Sequence, residues 1–206
     1  MNRRRTRLGI EGLEDRCTPA TLTVNTLGDN IDHTDSVLTL REAIDVVNTQ
    51  SNSGLSTNEL AQISGTLGSK DTIQFAPSLF TSQGQTIKLS ITGNTDNLYG
   101  DSAFAFNTEV TIEGPTGTNG LTLDGGGKRL FEVTESGNLK LDDLTLTDSV
   151  SNGRPGGAIV NLGKLELTSS TVRGCSAALG GGLYNLGTAS LSSSFFEFNS
   201  AGSGGA

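Results

Sequence analysis

The adjacent acids Asp142 and Asp143 are the residues of this sequence best suited to chemistry. Paired carboxylates can bind Ca²⁺, or can divide the acid and base roles of glycoside cleavage between them. Adjacent strand residues point to opposite faces, although a bend between strands can turn both outward. The repeats described below place Thr168-Ser169 and Ser192-Ser193 at the corresponding positions, which adds no ligand. The pattern therefore favours solvated turn acids. We predict no catalytic residue and no cofactor, and a Ca²⁺ site at this pair has no further support.

The other reactive side chains are few and widely spaced. His33, the only histidine, lies in the polar stretch DHTD (32–35), which we expect to be a solvated turn. Cys17 and Cys175 are too few for a disulfide framework, and whether they pair stays open. Two cysteines and one distant histidine also do not supply the four ligands of a structural zinc site. The stretch LDGGGKR (123–129) lacks the strand-to-helix setting of a phosphate-binding loop.

The chain is acidic, with 14 basic and 22 acidic residues and a net charge of −8. Five of the basic residues are arginines within the first sixteen positions, so the rest of the chain is more acidic than this value indicates. Nucleic acid is therefore excluded as a partner, because phosphate binding depends on clustered Lys and Arg. No apolar run approaches the length of a transmembrane helix, and we predict none.

A repeat of 24 residues occupies the C-terminal part of the chain, where Gly156–Leu179 and Gly180–Ser203 align without a gap. A looser copy, Gly137–Ser149, aligns with Gly163–Cys175 at a spacing of 26, and its two additional residues fit in the turn SNGRPGG (151–157). The positions that the repeats align are Leu141 with Leu167 and Leu191, Leu146 with Val172 and Phe196, and Asn161 with Asn185.

Each repeat contains short apolar runs that alternate with period two, which is typical of strands. A unit of this length cannot bury its apolar side chains alone. Stacked units can, if each strand pairs with its equivalent one turn on, about 4.8 Å away. We therefore predict an all-β fold, a single-stranded parallel β-helix with leucine ladders inside and Asn161 over Asn185 at a bend. An antiparallel meander or sandwich would supply strands but would not explain a gapless repeat.

The same register orders the charged residues outside. The predicted columns are Asp124 over Thr147, Arg173 and Glu197, and Lys140 over Glu166. Neighbours of opposite sign attract, as cross-strand pairs do, so these columns do not concentrate negative charge. They therefore differ from the acid clusters that polysaccharide-cleaving β-helices need.

One segment, VLTLREAIDVVN (37–48), has helical rather than strand periodicity. Its apolar stripe consists of Leu40, Ala43, Ile44 and Val47. Thr39 can cap the helix and Glu42 can complete a capping box, which predicts a helix over 39–49. The first coil of a solenoid leaves apolar side chains and unpaired backbone groups open, and we predict that this helix covers them.

These elements divide the chain into three parts. Residues 1–20 form a basic segment of export type that we predict to be disordered. Residues 21–70 form a capping module, in which the polar stretch 51–70 is predicted to be loop. Residues 71–206 form the coils, beginning with the strand-like runs DTIQFAPSLF (71–80) and QTIKLSITG (85–93).

Several of these motifs resemble known ones. TLTVNTLGDN (21–30) and TLREAIDVVN (39–48), followed by DTIQF, are similar to the CSLREA-type N-terminal module of secreted bacterial β-helix proteins. GGAI, GGGLYN and FEFN (196–199) resemble the GGA[ILV] and FxxN repeats of the polymorphic outer membrane protein family. LEDRCTPA (13–20) resembles an N-terminal export element of large bacterial surface proteins. The chain departs from these patterns at Leu38-Thr39, which replace Cys-Ser, and at Cys175, which replaces an FxxN asparagine.

The resemblance implies a right-handed, pectate-lyase-like β-helix that is exported to the cell surface or outside the cell, in association with an outer membrane. Its role would be adhesive or structural rather than catalytic, with an unknown extracellular ligand such as a glycan or a protein. Such proteins usually contain more coils, so we expect a truncated chain whose last coil is an uncapped edge, open to end-to-end association. The alternatives are a polysaccharide lyase or glycosidase with its catalytic coils missing or degenerate, and a cryptic gene product without a function.

Overall fold

The computed structural model describes residues 18–81, 83–117 and 120–204. The first 17 residues, which include Cys17 and most of the predicted export segment, lie outside the described residues. Within the described residues, Pro19 forms an isolated β-bridge with Thr66, and Ala20 is buried.

The described residues form nineteen strands and two α-helices. The first elements are β1 (Thr21–Val24), α1 (Leu40–Thr49), α2 (Thr57–Leu60), β2 (Ile63–Ser64), β3 (Asp71–Phe75), a 3-10 turn (Pro77–Leu79), β4 (Gln85–Lys88) and β5 (Ser102–Phe106). The middle strands are β6 (Glu109–Glu113), β7 (Leu121–Asp124), β8 (Arg129–Val133), β9 (Asn138–Asp142), β10 (Leu144–Thr147), β11 (Val150–Pro155) and β12 (Ile159–Asn161). The last strands are β13 (Lys164–Thr168), β14 (Thr171–Arg173), β15 (Ser176–Leu179), β16 (Leu183–Asn185), β17 (Thr188–Ser192), β18 (Phe195–Glu197) and β19 (Ser200–Ser203).

The strands form four sheets that run along one axis. Their orders are β17-β13-β9-β6-β3-β1-β2, β18-β14-β10-β7-β4, β16-β12-β8-β5 and β11-β15-β19. Every neighbouring pair of strands is parallel except β1 with β2. The result is a β-solenoid of about four turns, which confirms the predicted parallel stacking.

The ladders occupy the predicted register. Leu167 pairs with Leu141 on one side and with Leu191 on the other, and Val172 pairs with Leu146 and Phe196. The leucine ladder continues to the N-terminal end through Ile112, Ile73 and Leu22. Its members are buried except in the last coil, where Leu191 is 50% exposed. Each fully buried aliphatic side chain contributes about 1.5–3 kcal/mol to folding.

The two additional residues of the 26-residue repeat form a bulge in β11. Val150 pairs with Ser176 and Ser151 with Ala177, both at a spacing of 26, whereas Pro155 pairs with Leu179 at a spacing of 24. The register therefore shifts between Ser151 and Pro155, within the turn where the sequence predicted the insertion.

Helix α1 has the predicted capping box. Its N-cap is Thr39, whose hydroxyl accepts from the Glu42 N–H, while the Glu42 carboxylate accepts from the Thr39 N–H. The helix contacts β1, β3 and β5 at the N-terminal end of the stack. Strand β2 covers the outer edge of β1 by antiparallel pairing. Within the described residues, no helix combines the length and apolar character needed to span a bilayer.

The loop prediction for 51–70 was wrong, because this stretch contains α2 and β2. Helix α2 begins with a second capping box, formed by Ser56 and Glu59. The stacking also starts earlier than predicted, since β1 already pairs in parallel with β3. The first coil therefore begins at residue 21, and α1 lies within it.

Candidate functional site

The candidate acids Asp142 and Asp143 lie at a corner of the solenoid. Asp142 ends β9, and Asp143 has a left-handed φ of 53° that turns the chain into β10. Ser169 and Ser193 repeat this conformation one and two coils on, with φ of 48° and 50°. Asp143 therefore occupies a recurrent corner of the backbone, where a short polar side chain tolerates the left-handed region.

Asp142 has one acidic neighbour that the repeat did not predict. Glu113 of β6 pairs with it in the preceding coil, whereas Thr168 follows in the next coil. Burial raises the pKa of Asp142, and the negative charges of Asp143 and Glu166 raise it further. Catalytic proton donors often have a raised pKa, but many acids without a catalytic role have one too.

The outer columns have the predicted composition. On the five-stranded sheet, Asp124 pairs with Thr147, which pairs with Arg173 and then Glu197. Lys140 Nζ lies 3.8 Å from Glu166 Oε2. The two side chains are 41% and 48% exposed, so solvent screens this ion pair and it contributes little stability. Beside the charged column runs a column of hydroxyls that consists of Thr86, Thr122, Thr145 and Thr171.

The predicted asparagine ladder is present at the corner after β12. Asn161 Nδ2 donates to Asn185 Oδ1 at 2.6 Å and to the Thr188 carbonyl at 3.0 Å. Asn161 is fully buried, and its Oδ1 has no partner among the described residues. The reason is the preceding coil, where Val133 takes the equivalent place and offers no side-chain donor.

Replacing Asn161 with aspartate should therefore destabilise the fold strongly for so small a change. The new carboxylate would face two acceptors, Asn185 Oδ1 and the Thr188 carbonyl, and we expect a loss of about 2–3 kcal/mol in the free energy of unfolding. Asn185→Asp is the matched control, because position 185 is exposed and its Oδ1 already acts as the acceptor. Urea unfolding followed by circular dichroism measures both. Equal losses in the two variants would contradict this account of the ladder.

Cys175 is buried at the corner where the next coil carries Asn199. Asn199 Oδ1 accepts from the Cys175 N–H, and Asn199 Nδ2 donates to the Val172 carbonyl, so this asparagine ties two coils together. The Cys175 thiol donates to the Arg173 carbonyl. Burial raises the pKa of Cys175, and hydrogen bonds with Ser149 offset part of that increase.

We expect the Cys175 thiol to be inert in the folded protein. A thiol that is buried and has a raised pKa has little thiolate and no access to reagent. In a Cys17→Ser background, iodoacetamide should label Cys175 at least about 100-fold more slowly in buffer than in denaturing urea. Peptide mass spectrometry measures the rates, and rapid labelling of the native protein would contradict the burial.

A groove of about 550 Å³ runs beside α1, between the helix and the loop that precedes β5. Phe104 lines it, and the Arg41 guanidinium lies 4.5 Å from the centre of that ring. Polar side chains on its walls include Asp45, Asn48 and Asn94. The groove is therefore a concave surface with an aromatic side chain and polar groups at the N-terminal end of the solenoid.

His33 and Glu42, which line this groove, meet a third ligand-type side chain, Glu59. His33 Nδ1 lies 3.7 Å from Glu42 Oε1 and 3.4 Å from Glu59 Oε1. The sequence-based exclusion of zinc considered only Cys and His, and DHTD was predicted to be a solvated turn, so both glutamates were missed. The pattern Ser56-x-x-Glu59 is a capping-box signal that could have placed the second glutamate at a helix start.

Comparisons with known proteins found no relative. No protein-family model matches the chain, and neither does any curated protein or any solved structure. The resemblance to the CSLREA-type module and to the polymorphic outer membrane protein repeats therefore stays a prediction.

Proposed function

We propose that the protein is a non-catalytic β-solenoid that is exported to the cell surface and acts as an adhesin-like or structural scaffold. The supporting observation is the threonine column on the outer face of the five-stranded sheet, from Thr86 to Thr171. Neighbouring hydroxyls in it are one strand apart, about 4.8 Å. Its parallel charged column alternates in sign, so the face is polar without being strongly repulsive.

A glycan is the ligand that this face fits best. Sugar hydroxyls are donors and acceptors, as threonine hydroxyls are, and an extended glycan repeats along its length as the column does. Many weak contacts that repeat at the spacing of the threonine column can give specificity without a deep pocket. The alternating charges beside the column would disfavour strongly charged polymers. The export and the outer-membrane association rest on the resemblance of the N-terminal motifs and of the C-terminal repeats alone.

Binding to an array of neutral and acidic glycans tests this proposal. Thr122→Glu and Thr145→Glu should each weaken binding about tenfold, which corresponds to 1.4 kcal/mol. Thr111→Glu is the matched control, because it places the same charge on the outer face of the seven-stranded sheet. The absence of any glycan ligand, or equal losses in all three variants, would count against the threonine face.

An enzyme that acts on polysaccharides is the second candidate, because Glu113 pairs with Asp142 and the pKa of Asp142 is raised. This candidate predicts new reducing ends or unsaturated products when the protein is incubated with polysaccharides. Asp142→Asn should then lower the rate about 10²- to 10⁴-fold. The scaffold proposal predicts no turnover of any polysaccharide.

A further inference from the structure

We propose that His33, Glu42 and Glu59 form a binding site for a divalent transition-metal ion. The three residues come from three separate segments at the N-terminal end, namely the loop before α1, helix α1 and helix α2. One nitrogen and two carboxylate oxygens all lie within 4.8 Å of one another. This proposal is independent of the scaffold function.

The two capping boxes hold both glutamates with one oxygen, Oε1, directed towards the centre of the cluster. Glu42 Oε2 accepts from the N–H and the hydroxyl of Thr39, and Glu59 Oε2 accepts from the Ser56 N–H. Each glutamate therefore uses Oε2 to start its own helix and directs Oε1 towards His33. Glu42 Oε1 also accepts from the Asp32 N–H at 2.7 Å, and its second lone pair remains for an ion. The donor atoms are thus fixed before any ion binds, which lowers the entropy cost of binding.

Only one basic side chain faces the two carboxylates of the cluster among the described residues. Both glutamate side chains are 0% exposed, and His33 is the only basic side chain in ion-pair contact with them among the described residues. His33 is also the only donor to Glu59 Oε1 there, at a long 3.4 Å. Buried carboxylates are normally paired or bound to metal, because burying an uncompensated charge is costly. A dication would neutralise both carboxylates.

The distances fit a small ion. Zinc bonds of about 2.0–2.1 Å in tetrahedral geometry place neighbouring ligand atoms roughly 3.4 Å apart. The two distances from His33 Nδ1 are 3.4 and 3.7 Å, close to this spacing, and the two carboxylate oxygens lie within 4.8 Å of each other. The His33 side chain is 34% exposed and borders the groove, which leaves an approach for the ion and a coordination position for water. Imidazole favours zinc and its neighbours over Ca²⁺, which prefers six or more oxygen ligands.

The test uses the full chain without a histidine tag, in a Cys17→Ser background, after treatment with chelator. Because His33 is the only histidine, one long-range ¹H–¹⁵N spectrum reports its ring nitrogens without assignment. Adding ZnCl₂ should shift the Nδ1 resonance, with one equivalent bound by calorimetry and a higher melting temperature. CaCl₂ should produce none of these changes at the same concentration.

His33→Gln and Glu59→Gln should each weaken Zn²⁺ binding by about 100-fold or more. Glutamine at position 59 can still complete the capping box, so this variant separates the loss of a ligand from the loss of the helix start. Glu166→Gln, on the outer face of the solenoid, should bind as the parent does. The proposal is overturned if the parent does not bind Zn²⁺ at millimolar concentration, if Glu59→Gln binds equally well, or if Ca²⁺ binds in preference.

Discussion

Replacing Arg129 with methionine should lower the free energy of unfolding by about 3–5 kcal/mol. The Arg129 side chain is buried, with 1% exposure, and its guanidinium joins three successive coils. Its acceptors are the carbonyls of Tyr99, Gly100, Pro155 and Gly156 and the hydroxyls of Ser102 and Ser151. Methionine fills a similar volume but donates no hydrogen bond, so buried carbonyls in loops on both sides would lose their donors.

Arg129→Lys separates charge from geometry. Lysine keeps the positive charge but cannot reach six acceptors from one planar group, so we expect an intermediate loss. Burial lowers the pKa of Arg129, and the nearby charges of Glu132, Asp96 and Asp101 raise it. Urea unfolding measures the stability of the three proteins. If Arg129→Met lowers the free energy of unfolding by less than about 1 kcal/mol, the carbonyls that Arg129 contacts tolerate the loss of their donor and the prediction is wrong.

Replacing Arg41 with methionine should have a comparable effect at the N-terminal end, again about 3–5 kcal/mol, because it leaves a buried charge without its partner. Arg41 Nε donates to Asp29 Oδ1 at 2.7 Å, and both side chains are almost fully buried. The guanidinium also donates to the carbonyls of Ala103 and Ile91. This one side chain therefore fastens α1 to β5 and to the loop after β4.

The double variant Arg41→Met with Asp29→Asn is the control for this prediction. If the penalty comes from the unpaired carboxylate, the double variant should lose less stability than the sum of the two single variants. Strict additivity would contradict a direct coupling. Differential scanning calorimetry at neutral pH measures all four proteins.

The Asp29–Arg41 pair also predicts a pH dependence. Burial raises the pKa of Asp29, but hydrogen bonds from Arg41 and from the N–H groups of Ser90 and Ile91 outweigh it, so the pKa is lower than usual. Because the folded pKa is below the unfolded one, this stabilisation is complete above the unfolded pKa, about 3.9, and is lost as the pH falls through the folded pKa. The stability difference between the parent and Asp29→Asn should therefore be constant near neutral pH and shrink in acid.

The ladders could be predicted from sequence because parallel stacking converts chain spacing directly into register. Two residues 24 apart, such as Leu167 and Leu191, must pair if each coil has the same length. The helix was predictable for a similar reason, since Thr39 and Glu42 form a local signal three residues apart. In both cases the contact is encoded by a regular interval.

The contacts of Arg129, Arg41 and His33 could not be predicted in this way, because irregular loops bring these residues and their partners together. Arg129 meets Tyr99 and Gly156 across coils of unequal length, and Arg41 meets Asp29 through a loop without periodicity. His33 meets Glu59 across 26 residues that include a helix the sequence analysis did not predict. The substitutions with the largest expected effects on stability therefore lie at residues whose contacts the repeat does not predict.

The bulge in β11 takes up additional residues without changing the strand register of the neighbouring coils. Residues between Ser151 and Pro155 are accommodated outside the ladders, and Val150 and Leu179 still pair with their neighbours. Asn152 and Gly153 are exposed at this corner. A foreign peptide inserted between them would lengthen one surface loop and leave the strand pairing between coils unchanged. The bulge is thus a suitable site for the insertion and display of an epitope, because the core of the solenoid would not need to be redesigned.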